Sequence, residues 1–334
     1  MRRTTAFCAP FLSLALAGLL NAGPALAQSS PSSPWRDSSG PFAATAPGVT
    51  VAQGAGQGGG TESTPTPTPT GRSQPGTPGN PAVWFSAGWT NLQNSFPGTA
   101  YHGNSYNGAV GGDAQIGDRL ILGLAVSGEG TILDTTFNAG HLTTTGAGLN
   151  PYAVYTLTDH FYVDALVGWS WLTNDLDRSN GAVTASYDSF RWLGNLNLTG
   201  RFIEGPWQFL PTVGYLYVHQ NDDAYTERGT GAASVPSRTS IVGQGRLGGK
   251  VGYTIDNVTP YVGARWEHNF VQPNVTIAPG VPGGSPSSSR EGAFVQVGMN
   301  ADFKGGFSGG IEFNTMQKSD QATYGILGNV RYAF

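Results

Sequence analysis

Within the last fourteen residues, QATYGILGNVRYAF, side-chain character changes at every step. Tyr324, Ile326, Gly328, Val330, Tyr332 and Phe334 share one side of an extended strand, and Gly325, Leu327, Asn329, Arg331 and Ala333 share the other. A strand sends successive side chains to opposite faces, so this is a ribbon with one greasy side and one small or polar side. A period of two excludes an amphipathic helix over these residues.

The same period recurs from Val83 onward. Twelve strands are predicted, near 82–91, 105–116, 119–130, 142–157, 160–173, 187–202, 206–219, 239–254, 257–271, 291–303, 306–316 and 321–334. In the third, Leu120, Leu122, Leu124 and Val126 oppose Ile121, Gly123, Ala125, Ser127 and Glu129. In the sixth, Phe190, Trp192, Leu196 and Leu198 oppose Arg191, Asn195, Asn197 and Arg201. In the eighth, Ile241, Gly243, Gly245, Leu247, Gly249, Val251 and Tyr253 oppose Gln244, Arg246, Gly248, Lys250 and Gly252. In the ninth, Val258, Pro260, Val262, Ala264 and Trp266 oppose Tyr261, Arg265, Glu267 and Asn269.

The predicted connections alternate in length. Short turns fall at Gly117-Asp118, Thr158-Asp159, Glu204-Gly205, Asp256-Asn257 and Lys304-Gly305, and long connections at 92–104, 131–141, 174–186, 220–238 and 272–290, with 317–320 of modest length. Short turns at one end and long loops at the other is the pattern of a transmembrane barrel, with both chain ends on the short-turn, periplasmic side. Charged residues are 11% of the chain, against about 25% in soluble domains. No segment of the mature chain approaches 18 uninterrupted apolar residues, so no transmembrane helix is expected. In hydrocarbon every backbone polar group must pair, which a closed sheet achieves. The fold class read here is all-β: a 12-stranded antiparallel transmembrane β-barrel, residues 82–334, with greasy positions facing lipid. Arg191, Arg201, Arg246, Lys250, Arg265, Glu267, Asp302 and Arg331 are then expected to face the lumen. Trp, Tyr and Phe near strand ends are expected to form interfacial girdles.

Upstream, Arg2 and Arg3, the apolar run Ala6 to Leu20 and Ala25-Leu26-Ala27 read as a secretory signal peptide, residues 1–27. Cys8, the only cysteine, lies inside it, so disulfides play no part in the exported chain. Its removal takes away two arginines and no acids from a chain whose formal charge is −4. An acidic chain without a Lys/Arg cluster points away from nucleic acid. Residues 28–81 contain SSPSSP, GAGQGGG and TPTPTPT. Such a Pro/Gly/Ser/Thr-rich segment lacks the apolar groups to offset ordering entropy and reads as a disordered linker.

Residues 83–334 resemble the translocator β-domain of bacterial autotransporters. The resemblance rests on the strand number, the segment length, NPYAVYTLTDHFYVDALVGW (150–169), LPTVGYLYVHQ (210–220) and the terminal VRYAF (330–334). It implies a monomeric barrel in the bacterial outer membrane, in contact with membrane lipids and lipopolysaccharide. It implies that the barrel-assembly machinery reads the final strand through Tyr324, Tyr332 and Phe334. Members export an N-terminal passenger through their own pore, commonly with a helix in the lumen. Here residues 28–81 are short, and the prolines of 64–81 exclude a regular pore helix.

The residues suggesting chemistry are few, and neither cofactor nor metal is expected. Gly243, Gly245 and Gly248 spell G-x-G-x-x-G, but inside a strand rather than between strand and helix. Asp175, Asp177, Ser179, Asn180 and Gly181 offer oxygen ligands in one loop, but their spacing is not that of an EF-hand. His268 with Ser240 and Asn269 invites comparison with outer-membrane phospholipases, and Asp222 and Asp223 near His219 with omptin-type proteases. For each, a girdle or loop histidine is the plainer reading. The function expected is a membrane-anchored translocator that exports or displays its N-terminal segment. A small-solute channel with a cationic lumen and an outer-membrane enzyme are the alternatives.

Overall fold

The computed structural model describes residues 46–51, 61–66, 81–95, 100–271, 290–303 and 305–334. The predicted signal peptide, most of residues 28–81, most of the 272–290 connection and Lys304 lie outside the described residues.

Among the described residues twelve long strands form one antiparallel sheet. They are β1 Pro81–Asn94, β2 Tyr101–Ile116, β3 Leu120–Thr135, β4 Gly140–Thr156, β5 Phe161–Arg178 and β6 Val183–Gly200. Then follow β7 Trp207–Asp222, β8 Arg238–Tyr253, β9 Val258–Val271, β10 Glu291–Asp302, β11 Phe307–Gln317 and β12 Gln321–Ala333. Each pairs with the next, and β12 returns to β1 from Gln321↔Asn94 to Ala333↔Ala82, so the sheet has no free edge. Closure satisfies the backbone without water, which permits such a sheet to sit in lipid.

Register assigns the faces. Leu247 pairs with Val213 and Trp266 on the outer surface, and all three are exposed. The next position, Arg246, pairs with Gly214 and Glu267 on the inner surface, where both charged residues are buried. Two belts of aromatics bound the apolar exterior. One lies at the short-turn end, where Trp207 meets Tyr253 at 4.9 Å, Phe161 meets Phe202 at 5.8 Å and Phe307 meets Tyr332 at 4.6 Å. The other includes Trp89, Tyr106, Tyr324 and the pair Trp171–Phe190 at 5.9 Å. About ten residues of tilted strand separate the belts, roughly 25 Å, the height of a membrane barrel's apolar band.

Beyond the second belt the strands continue further than expected. The connections expected over 92–104, 131–141 and 174–186 contract to 95–100, 136–139 and 179–182. The reason is an exchange of polarity between the two faces. Asn91, His102, Asp134, His141, Asp175 and Asp177 here point outward, while Leu92, Tyr101, Leu133, Leu142, Leu176 and Tyr187 are buried inside. Asp175 and Asp177 therefore belong to β5 rather than to a loop. Ser179, Asn180 and Gly181 form the turn, with positive φ at 56°, 56° and 82°. The expected strict alternation of short and long connections does not hold at these three places.

Candidate functional site

The lumen and its mouth hold the buried polar side chains. At the short-turn end Trp84 Nε1 donates to Tyr152 Oη at 2.7 Å, and Tyr152 Oη donates to Asp113 Oδ2 at 2.7 Å. Arg331 donates to both Asp113 oxygens, at 2.8 and 2.7 Å. Strands β1, β2, β4 and β12 are thereby tied inside the closing seam. Gly111 has no room for a side chain, because the Trp84 indole lies over it.

Midway, the wall is divided. Ala109, Ala125, Leu166, Leu193, Leu216 and Val242 bring an apolar cluster inward from β2 through β8. Within this sector Arg191 on β6 forms an ion pair with Glu129 on β3. From β8 to β11 the wall is charged. Lys250 Nζ lies 3.3 Å from Glu312 Oε2, which also accepts from Tyr261 Oη at 2.8 Å. Gln296, with its amide nitrogen turned to Glu312, donates to both carboxylate oxygens at 3.1 and 3.0 Å. Arg265 Nε donates to Glu267 Oε1 at 2.7 Å, and the Arg265 guanidinium lies 3.8 Å from the centre of the Phe294 ring.

Of the eight residues expected in the lumen, Arg191, Arg246, Lys250, Arg265, Glu267 and Arg331 are placed on the inner surface by the register. Asp302 closes β10 on the same surface at the short-turn end, half-buried. Arg201 lies one residue past the end of β6, in the short connection to β7. Tyr324 and Tyr332 lie on the outer surface of β12, and Phe334 follows that strand, exposed.

The long-loop end carries a feature that the alternating pattern concealed. Residues 223–237 fold into a small hairpin, with Tyr225↔Val235 and Thr226↔Ser234 paired. Tyr225 and Val235 pack into the apolar cluster formed by Leu92, Tyr101, Leu133, Leu142, Leu176 and Tyr187. The Tyr187 and Tyr225 rings stack at 4.6 Å with 12° between planes. Arg178 Nε and Nη2 donate to the two oxygens of Glu227 at 3.0 and 2.6 Å, and Arg178 Nη2 also reaches Gly231 O at 2.8 Å. Hydrogen bonding from Arg178 and from the Ala233 amide outweighs burial and holds the Glu227 carboxyl below its usual range. The Tyr225 phenol is shifted upward, chiefly by burial. The hairpin is therefore a cover seated on the inner edge of the mouth.

Two described stretches of backbone upstream of the barrel also approach its wall. Ala46–Val51 and Thr61–Thr66 pair as an antiparallel hairpin. Its first strand approaches β7 and its second approaches β1 and β2. β1 and β7 are opposite walls of the cylinder, so a segment near both lies across the bore or one of its mouths rather than on the outer surface.

The enzyme-like constellations do not assemble. His268 is on the outer surface, with Nδ1 2.6 Å from Glu291 Oε1 and its ring beside Trp266 and Phe270. Asn269 and Ser240 are on the inner surface, Asn269 accepting from Gln244 at 3.0 Å. His219 packs outward beside Trp192 and contacts Asn221, whereas Asp222 is buried and accepts from Ser189 and Gln220. Gly243, Gly245 and Gly248 lie within β8, as an alternating strand requires. Among the described residues no group of three or more His, Cys, Asp or Glu side chains is arranged to hold a metal ion.

Three solved structures share this architecture. The translocator domain of the autotransporter NalP from Neisseria meningitidis superposes with a TM-score of 0.64 at 17% identity, over 76% of this chain and 88% of that one. The β-domain of the Bordetella autotransporter BrkA gives 0.63 at 17% identity, over 77% and 100%. The transport unit of the Escherichia coli autotransporter AIDA-I gives 0.55 at 14% identity, over 76% and 90%. No curated protein sequence matches significantly. The Autotransporter beta-domain family matches residues 83–314, most of the closed barrel, and the chain belongs to that family of bacterial outer-membrane proteins.

Proposed function

We propose that the chain is exported by its N-terminal signal, inserts into the outer membrane from the periplasm, and carries residues 28–81 in its own lumen for display or release at the surface. The observation that carries this reading is the paired backbone of 46–51 and 61–66, which approaches opposite walls of the barrel. The apolar exterior between two aromatic belts supports membrane anchoring, and both ends of the barrel segment lie at its short-turn side. Tyr324, Tyr332 and Phe334 fit a terminal strand read by the barrel-assembly machinery, and the exterior fits lipid and lipopolysaccharide around a monomer. The lumen carries structural ion pairs rather than a nucleophile and base within reach, which supports a non-enzymatic role.

An epitope inserted between Gly54 and Gly60 tests the reading in intact cells. Surface antibody or added protease is expected to reach it once the barrel has folded. An epitope that stays protected until the outer membrane is broken would exclude display and leave the segment as an internal plug.

A further inference from the structure

We propose that the lumen contains a binding site for one small tetrahedral oxyanion, of the sulfate or phosphate class, seated against Arg246. A cavity of about 40 Å³ beside Gly248 has Asn197, Thr212, Arg246, Lys250, Arg265 and Gln296 in its lining. At about 10–15 Å³ per water, it admits roughly three waters or one such ion. Gly248 forms part of its wall, and a Cβ there would collide with Arg265 and the Ala264 carbonyl.

Three cations, Arg246, Lys250 and Arg265, line this cavity. Lys250 is matched by Glu312, and Arg265 by Glu267. Arg246 faces Glu267 in the register, so two guanidiniums share one carboxylate. Among the described residues Arg246 has no carboxylate within ion-pair distance. Its hydrogen bonds go to neutral oxygens, Gln244 Oε1 at 2.7 Å and Asn195 Oδ1 at 3.4 Å. Its Nη2 is buried with no hydrogen-bond partner, in a side chain only 6% exposed. Glu267 lies opposite Arg246 but hydrogen-bonds only to Arg265, through Oε1, so an anion in the cavity supplies the acceptor that Arg246 Nη2 lacks.

The donors match an oxyanion. The guanidinium fork suits two oxygens of one anion. Asn197 has a second amide hydrogen beyond the one given to Asp164 at 2.7 Å. The Thr212 hydroxyl, now shared with Thr199 at 3.1 Å and the Leu210 carbonyl at 3.4 Å, can turn toward a stronger acceptor.

The test uses the full mature barrel in detergent, with selenate and sulfate as probes. Crystals soaked in selenate are expected to show an anomalous peak within hydrogen-bond distance of Arg246 Nη2. In solution sulfate is expected to raise the unfolding midpoint saturably at constant ionic strength. Arg246→Gln removes the saturable part and leaves only the general salt effect. Arg119→Gln, which removes an exposed cation at a short turn, keeps it. Glu267→Gln removes the competing carboxylate and tightens sulfate binding several-fold, which keeps the proposal testable if Arg246→Gln does not fold. Equal responses in wild type and Arg246→Gln, or ordered water alone at Nη2, overturn the proposal. Binding that appears only after deletion of residues 28–81 also overturns it, because the chain's own segment would then fill the site.

Discussion

Arg331 and Asp113 form a two-point ion pair across the closing seam, with β1 lying between their strands. The Asp113 side chain is fully buried and that of Arg331 nearly so. Removing one partner strands the other's charge, which costs about 3–5 kcal/mol in buried pairs. Asp113→Ala is therefore expected to lower stability by that amount in denaturant titrations followed by the gel mobility of folded barrel. Tyr152→Phe removes the hydroxyl between Trp84 and Asp113 and is expected to cost about 1–3 kcal/mol.

The cover over the mouth depends on charge. The folded Glu227 carboxyl titrates below its ordinary value of 4.5, so the Arg178 contact stabilises the closed hairpin fully above that value. The contribution is lost as pH falls below 4.5 and through the depressed value. Hydrogen exchange at the Ala233 amide, which donates to Glu227 at 2.9 Å, is expected to lose protection at pH 3 relative to pH 6, after correction for intrinsic rates. In Glu227→Gln that difference is expected to vanish. At neutral pH trypsin is expected to cut this variant after the exposed Arg228 about tenfold faster, the equivalent of one charge-assisted hydrogen bond of about 1.5 kcal/mol.

The same cover is a barrier to solutes. Tyr225→Ala removes the ring stacked on Tyr187 and the apolar fill between the upper walls. In planar bilayers this variant is expected to show larger unit conductance than the parent. Equal conductance would mean that the restriction lies elsewhere along the bore.

Val262 faces lipid between the aromatic belts. Val262→Arg is expected to cost about 2–4 kcal/mol in folding into lipid vesicles, whereas Gln93→Arg, on the outer surface above the second belt, is expected to cost less than 1 kcal/mol. Similar costs at the two positions would contradict the placement of the apolar band.

The order of strands and the faces of β8, β9 and β12 were legible because one side chain in two meets hydrocarbon there. Leu247 and Arg246 cannot exchange places without a large penalty, so their alternation is written plainly. The same rule misplaced the upper strand ends. At Leu92, Leu133 and Leu176 the greasy side turns inward, and a reading that equates greasy with lipid-facing stops short of them. The pairing of Tyr225 with the distant Tyr187 joins residues whose contact no local period encodes. Arg246 was legible as inward-facing, but its lack of an acidic hydrogen-bonding partner required knowing that Arg265 takes Glu267 Oε1.

The exchange of polarity along the upper strands also fixes the depth at which the cylinder floats. Sinking it by a few residues would carry Asp134 and Asp177 into oil, and lifting it would leave Val295 and Val297 standing in water. The wall thus acts as its own waterline, marked by which side of each ribbon is wetted, and it needs no outside anchor to hold that level.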